Sequence, residues 1–279
     1  MGRRRALSTV WVTGCLAAGL GCQSFNDPPV TFVIGLRVLG IKAEPPEIPP
    51  GASTSVSTLA VETTGAAIAA AWSECLLPPL AGEAVNPDCV GADASVRQAI
   101  GQGLAITATM PQVTASALGS ADQTGGVYLP LVADVSAETS ALTAVYRLRL
   151  AGTAPANANP TIATVYQLDA TTGAMVPLDP NAATPVTVNG SLSLGVTFTP
   201  GSAETYIAAD GTTTVETLTT SWFCTAGDLS LEKTSDAQPQ TVLNLNQRLP
   251  ASGSQIDLWA VGRDERGGTD FTHRTLQLP

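Results

Sequence analysis

The sequence predicts an all-β protein built from two tandem sandwich domains behind a short leader. Three observations carry that expectation. From Phe32 onward, short alternating apolar and polar runs are separated by Gly, Pro, Asn and Asp, which is the period-two spacing of half-buried strands. Aromatic residues make up only 5% of the 279 positions, and small or β-branched side chains dominate. Such side chains pack better on pleated sheets than around helices. Finally, the same strand plan occurs twice, in a chain long enough for two cores of ordinary size.

In the first copy, strands are expected at Arg37–Glu44, Thr54–Val61, Ala67–Cys75, Leu104–Met110, Val127–Val135 and Leu142–Leu150. In the last of these, Tyr146, Leu148 and Leu150 point inward and Arg147 and Arg149 outward. The second copy reads as Ile162–Leu168, Leu192–Phe198, Thr219–Thr225, Leu229–Glu232, Val242–Leu245, Ile256–Arg263 and Asp270–Leu278. Each third strand bears a tryptophan destined for a core, Trp72 and Trp222, and each copy ends in a long apolar hairpin. Ser191–Thr199 is the clearest strand: Leu192, Leu194, Val196 and Phe198 share one face. Asn189-Gly190 just before it predicts a tight hairpin. The one helical expectation, about two turns, covers Asp93–Gln102, with Asp93 as N-cap. Ala154–Pro160, rich in Pro and Asn, reads as a linker between domains at 32–153 and 161–279.

The leader is read separately. Arg3-Arg4-Arg5 precede a 15-residue apolar run, Ala6–Leu20, which suits a secretory signal and is too short to span a bilayer. The run ends Leu20-Gly21-Cys22 and resembles a bacterial lipobox. This implies a lipoprotein signal peptide at 1–21, acylation (palmitate) of Cys22 and a flexible tether at 22–31. Gly19 departs from the usual Leu, Val or Ile. Cys15, in Val12-Thr13-Gly14-Cys15, is the alternative acylation site. Several acyl chains on one residue anchor stably to a membrane. Gln23 stands where an inner-membrane retention aspartate is absent, so the outer membrane is expected.

Arg37–Gly51, with its strand, proline-rich bend and glycine, resembles the opening of bacterial immunoglobulin-like domains. Ile256–Asp270 is similar to the closing hairpin of polycystic-kidney-disease-type domains. With the leader, the chain resembles uncharacterised lipoproteins of the myxobacterial type. The resemblance implies immunoglobulin-like sandwiches and an envelope location, with no activity attached, and the inter-sheet cysteine pair of antibody domains is not matched.

Composition also excludes. The net charge is −10, and becomes −13 once Arg3, Arg4 and Arg5 leave with the signal peptide, so a phosphate backbone is repelled and no nucleic-acid partner is expected. Lys42 and Lys233 are the only lysines, and no phosphate-binding glycine loop is complete. His273 is the only histidine, which leaves zinc chemistry and a Ser-His-Asp arrangement without enough parts. It is expected at a solvent-facing strand position. No catalytic residue and no cofactor is assigned, and the chain is not expected to be an enzyme. Asp264, Glu265 and Asp270 around Gly267-Gly268 are weak calcium candidates; the alternative is a solvated hairpin tip neutralised by Arg263 and Arg266. Cys75 and Cys89 flank a Pro-rich loop and are expected to pair in an oxidising compartment, the alternative being three reduced cysteines. Cys224 shares parity with Trp222 and should face a core. Leu76–Ala92 is the least regular stretch, a candidate contact surface or a loop that its disulfide merely stabilises.

The functional expectation is therefore a non-catalytic envelope lipoprotein acting as a structural or protein- or glycan-binding module. An accessory subunit of a secretion or motility assembly is the alternative, and a hydrolase the remote one.

Overall fold

A computed structural model of the chain describes residues 29–279 apart from 76, 79, 81, 82, 84, 92, 93, 153 and 154. The expected leader, with Cys15 and Cys22, lies outside these residues, as does most of the tether. The protein is all-β. Three single-turn 3₁₀ segments occur, and there is no α-helix among the described residues.

The first half contains β1 (Arg37–Glu44), β2 (Glu47–Ile48), β3 (Ser53–Val61), β4 (Ile68–Cys75), β5 (Arg97–Gln102), β6 (Ala105–Thr109), β7 (Val127–Ala137) and β8 (Ser140–Leu150). They form a three-stranded sheet, β1-β3-β6, and a five-stranded sheet, β2-β8-β7-β4-β5. The inner faces bury Ile41, Val56, Trp72, Met110, Leu131 and Leu148 in one core. Trp72 buries its ring there and donates Nε1–H to the Gly103 carbonyl at 3.1 Å, so its one polar atom is satisfied.

The second half contains β9 (Ile162–Leu168), β10 (Met175–Pro177), β11 (Thr184–Pro185), β12 (Ser191–Phe198), β13 (Thr205–Ile207), β14 (Thr213–Val215), β15 (Thr219–Cys224), β16 (Asp228–Leu229), β17 (Lys233–Ser235), β18 (Gln240–Asn244), β19 (Gln255–Arg263) and β20 (Thr269–Gln277). Sheet β10-β9-β12-β18-β16 faces sheet β11-β20-β19-β15-β17, and β13-β14 forms a separate hairpin. Val165, Leu194, Trp222, Cys224, Leu243, Leu258 and Leu276 fill this core. Trp222 donates to Thr234 Oγ1 at 2.9 Å. Cys224 is reduced and buried, as its parity with Trp222 predicts. Burial pushes its thiol up to about 12, which leaves it protonated and inert.

Several local expectations are corrected. The helix at 93–102 is a 3₁₀ turn at Ala94–Val96 followed by β5, because Arg97–Gln102 completes its hydrogen bonds against β4. Asn189-Gly190 makes a turn, with Asn189 at φ 61° and Gly190 N donating to Thr187 O at 3.1 Å. It does not close a hairpin: β11 before it runs parallel to β20, while β12 after it pairs with β9 and β18 in the opposite sheet. The turn carries the chain across the sandwich. Of the strand expected at Leu229–Glu232 only Leu229 is in a strand, at the end of β16; residues 230–232 lead across to β17 in the opposite sheet. Nor is the end of the tether free: Thr31 is buried and Phe32 bridges Cys224.

A third apolar cluster joins the halves. Val33, Leu39, Trp259 and Val261 are buried together, with Leu59, Val61, Phe223 and Phe271 packed around them. Outer faces of β1 and β3 thereby meet the outer face of β15-β19-β20. At Gly40, where the β1–β3 register shifts, an added Cβ would lie 3.1 Å from Val261 Cγ1. The bulge and the missing side chain let the two sheets approach closely.

Candidate binding site at the junction of the two halves

The most elaborate polar site lies beside this apolar seam and is organised by two arginines. β2 runs parallel to β8, setting Glu47 opposite Arg149. Arg149 Nε donates to Glu47 Oε2 at 3.1 Å, and NH1 donates to Thr124 Oγ1 at 2.7 Å and Tyr128 OH at 2.8 Å. NH2 donates to the Thr124 carbonyl at 3.2 Å. Arg149 points away from the core, as the alternation predicts, and on that outer face the 122–126 turn and Glu47 cover it to 7% exposure.

Arg266 sits in the turn between β19 and β20 and is 2% exposed. Its Nε donates to Glu216 Oε1 at 2.6 Å, NH2 to Glu204 Oε2 at 2.7 Å and NH1 to Pro155 O at 3.2 Å. The guanidinium also lies 5.1 Å from the Tyr206 ring centroid. Glu216 accepts a second bond from the Glu204 amide at 2.9 Å. Burial pushes its carboxyl above the ordinary range, with the Glu204 amide and Arg266 pulling the other way. The solvated tip that the sequence suggests is thus a buried, multiply bonded ion cluster. No local pattern announces it, since the partners of Arg266 lie 50 to 111 positions away.

Residues 155–160, read as a linker, form a strap between these centres. The Asn157 amide donates to Glu47 Oε2 at 2.9 Å and the Ala158 amide to Glu204 Oε2 at 2.9 Å. Asn159 donates to Ala43 O and accepts from the Thr269 amide, at 2.7 and 2.8 Å. Asn157 is 3% exposed, and its Oδ1 has no hydrogen-bond partner.

The weak calcium candidates are neighbours in sequence but turn to different partners. Asp264 Oδ1 accepts the Arg266 and Gly268 amides at 2.8 Å each, closing the turn, and burial raises its carboxyl. Glu265 accepts from Tyr206 OH at 3.1 Å. Asp270 accepts from Lys42 Nζ at 3.1 Å and the Ile162 amide at 2.9 Å. No group of three or more His, Cys, Asp or Glu side chains is placed to hold a metal among the described residues.

Beside the arginines the halves bound an open cleft of about 810 Å³, lined by Asp122, Thr124, Tyr206, Asp210 and Glu265 among others. Its rims are tied by the Ala209 amide, which donates to Gln123 O at 3.0 Å. The volume is in the range of small-ligand sites, and boundaries between packed units are where such sites concentrate.

Elsewhere, His273 lies on the exposed face of β20, as expected. Its Nε2 is 2.7 Å from Asp257 Oδ1, with the Trp259 ring 5.3 Å away. Cys75 and Cys89 form a disulfide, which packs with Val132. The irregular stretch expected over 76–92 contains a 3₁₀ turn, Pro87–Cys89, capped by Asn86. No helix among the described residues is long and apolar enough to cross a membrane.

No family model matches the chain, and no curated protein matches it. Among solved structures, it is similar to the three N-terminal domains of the bacteriophage RB49 highly immunogenic outer capsid protein. Identity is 11%, coverage is 87% of this chain and 69% of that one, and the TM-score is 0.23. It is also similar to a Parabacteroides merdae β-glucuronidase at 10% identity and TM-score 0.23; 87% of this chain is covered and 24% of the enzyme. These scores are too low to carry a functional argument.

Proposed function

We propose that the protein is a non-catalytic lipoprotein of the bacterial cell envelope, held at the outer membrane through Cys22, whose two immunoglobulin-like sandwich domains present a surface to a protein or glycan partner. The observation that carries this reading is the junction: an apolar seam, the 155–160 strap bonded to Glu47 on one side and Glu204 on the other, and the Lys42–Asp270 pair couple the halves. A stiff body on a short tether holds its loops and cleft at a fixed place near a membrane. The lipobox-like leader and its resemblance to envelope lipoproteins support the location. Palmitate labelling tests the anchor. Wild type and Cys15→Ser are expected to incorporate label, and Cys22→Ser is expected to lose it. Label that survives Cys22→Ser but is lost in Cys15→Ser moves the anchor upstream, and no label in any form removes the lipoprotein reading.

One observation favours the alternative of an accessory subunit in an envelope assembly. Ile207 and Val215 are 56% and 59% exposed on the β13–β14 hairpin, and exposed apolar groups are one mark of a protein-contact surface. Co-purification with a fixed partner that Ile207→Asp abolishes would support it.

A further inference from the structure

We infer that the stripe Val30-Phe32-Ile34 is a membrane-facing edge that seats the body on phospholipid; this deepens, and rests on, the lipid-anchor reading. Residues 29–34 alternate in burial. Thr31 and Val33 are each 2% exposed, whereas Val30 and Ile34 are 54% and 61% exposed, with Phe32 half-buried between them. The stripe is fixed rather than trailing. The Cys224 amide donates to Thr31 O at 2.9 Å, the Val33 amide donates to Cys224 O at 2.8 Å, and Val33 is sealed in the apolar seam.

Two cations frame it. Arg37 NH1 donates to the carbonyls of Val30 and Phe32 at 3.0 and 2.7 Å. Arg248 stacks over the Phe32 ring, 5.5 Å from its centroid, and pairs with Asp228. The nearby acid Glu62 is occupied by the amides of Thr64 and Ala66. Exposed branched side chains, an aromatic ring and arginines are the chemistry of a shallow interfacial contact.

Tether length and charge name the occupant. Val30 lies eight positions after Cys22, a reach of at most about 29 Å when fully extended, so an acylated Cys22 keeps this edge within that distance of the bilayer. The strongly acidic remainder is repelled by anionic headgroups, which favours turning the arginine-framed edge inward.

The test uses the full acylated protein in phosphatidylethanolamine/phosphatidylglycerol vesicles. Val30→Cys, Ile34→Cys and the remote control Ile207→Cys are labelled with an environment-sensitive fluorophore. Cys75 and Cys89 are oxidised and Cys224 is buried, so the introduced thiol is the one that reacts. Lipid-borne nitroxide is expected to quench probes at positions 30 and 34 several-fold more than the probe at 207. Equal quenching at all three positions, in protein that carries palmitate and sediments with vesicles, would overturn the edge while leaving the anchor intact. A spectral shift that grows with protein concentration without nitroxide quenching would assign the stripe to self-association and likewise overturn it. Protein that neither carries palmitate nor sediments with vesicles defeats the anchor reading, and this inference with it.

Discussion

Glu74 shows what a single misplaced charge costs. On β4 it shares parity with Trp72, is 6% exposed, and lies opposite Leu131 of the first core. Burial alone raises its carboxyl. A carboxyl whose pKa is raised on folding adds no penalty below its ordinary pKa. As pH rises above that value, the unfolded chain ionises more readily than the folded one and stability is lost. Glu74→Gln should therefore raise the denaturation midpoint at pH 7 and leave it nearly unchanged at pH 4; a variant destabilised equally at both would contradict this. Arg266 poses the opposite case. Removing one member of a buried, hydrogen-bonded ion cluster strands the others, so Arg266→Met should cost about 3–5 kcal/mol in chemical denaturation. Residues of this kind were the least legible in the sequence. The alternation shows that Arg149 points outward, but Glu47, which covers it, lies 102 positions away.

Strands were more legible than what joins them. Leu192–Phe198 and the two tryptophan-bearing strands declare themselves through period-two alternation, because each needs only a sheet with one buried face. Asp93–Gln102 reads as helical because so short a run fits either period, and the pairing of Arg97–Gln102 with β4 decides it. The Asn189-Gly190 turn was legible, but its topological role was not, since that depends on which sheet the next strand joins. Two element-scale predictions follow from packing. An added Cβ at Gly195 on β12 would lie 2.4 Å from Tyr166 Cζ, in a ring that is itself 5% exposed. Gly195→Ala should thus destabilise by about 1–3 kcal/mol, as overpacking does. Cys75 and Cys89, 14 positions apart, close a loop whose reduction should cost about 3 kcal/mol on the loop-entropy account. Reduced protein should also be cleaved faster within residues 76–92 in limited proteolysis.

For the whole molecule, the consequential feature is the coupling of the halves. A sequence read as two sandwiches and a Pro/Asn linker suggests beads on a string. Instead, Asn157, Asn159 and Ala158 tie the intervening segment to both sides, and Leu39 meets Trp259 and Val261 in a shared core. Placing Leu39→Asp in that seam should uncouple the halves while leaving the core around Trp72 and the core around Trp222 intact. Scanning calorimetry of residues 29–279 measures this coupling most directly. The wild type should unfold in one transition with equal calorimetric and van't Hoff enthalpies, and Leu39→Asp should split it into two. A wild type that already unfolds in two independent steps, unmoved by the substitution, would contradict the account.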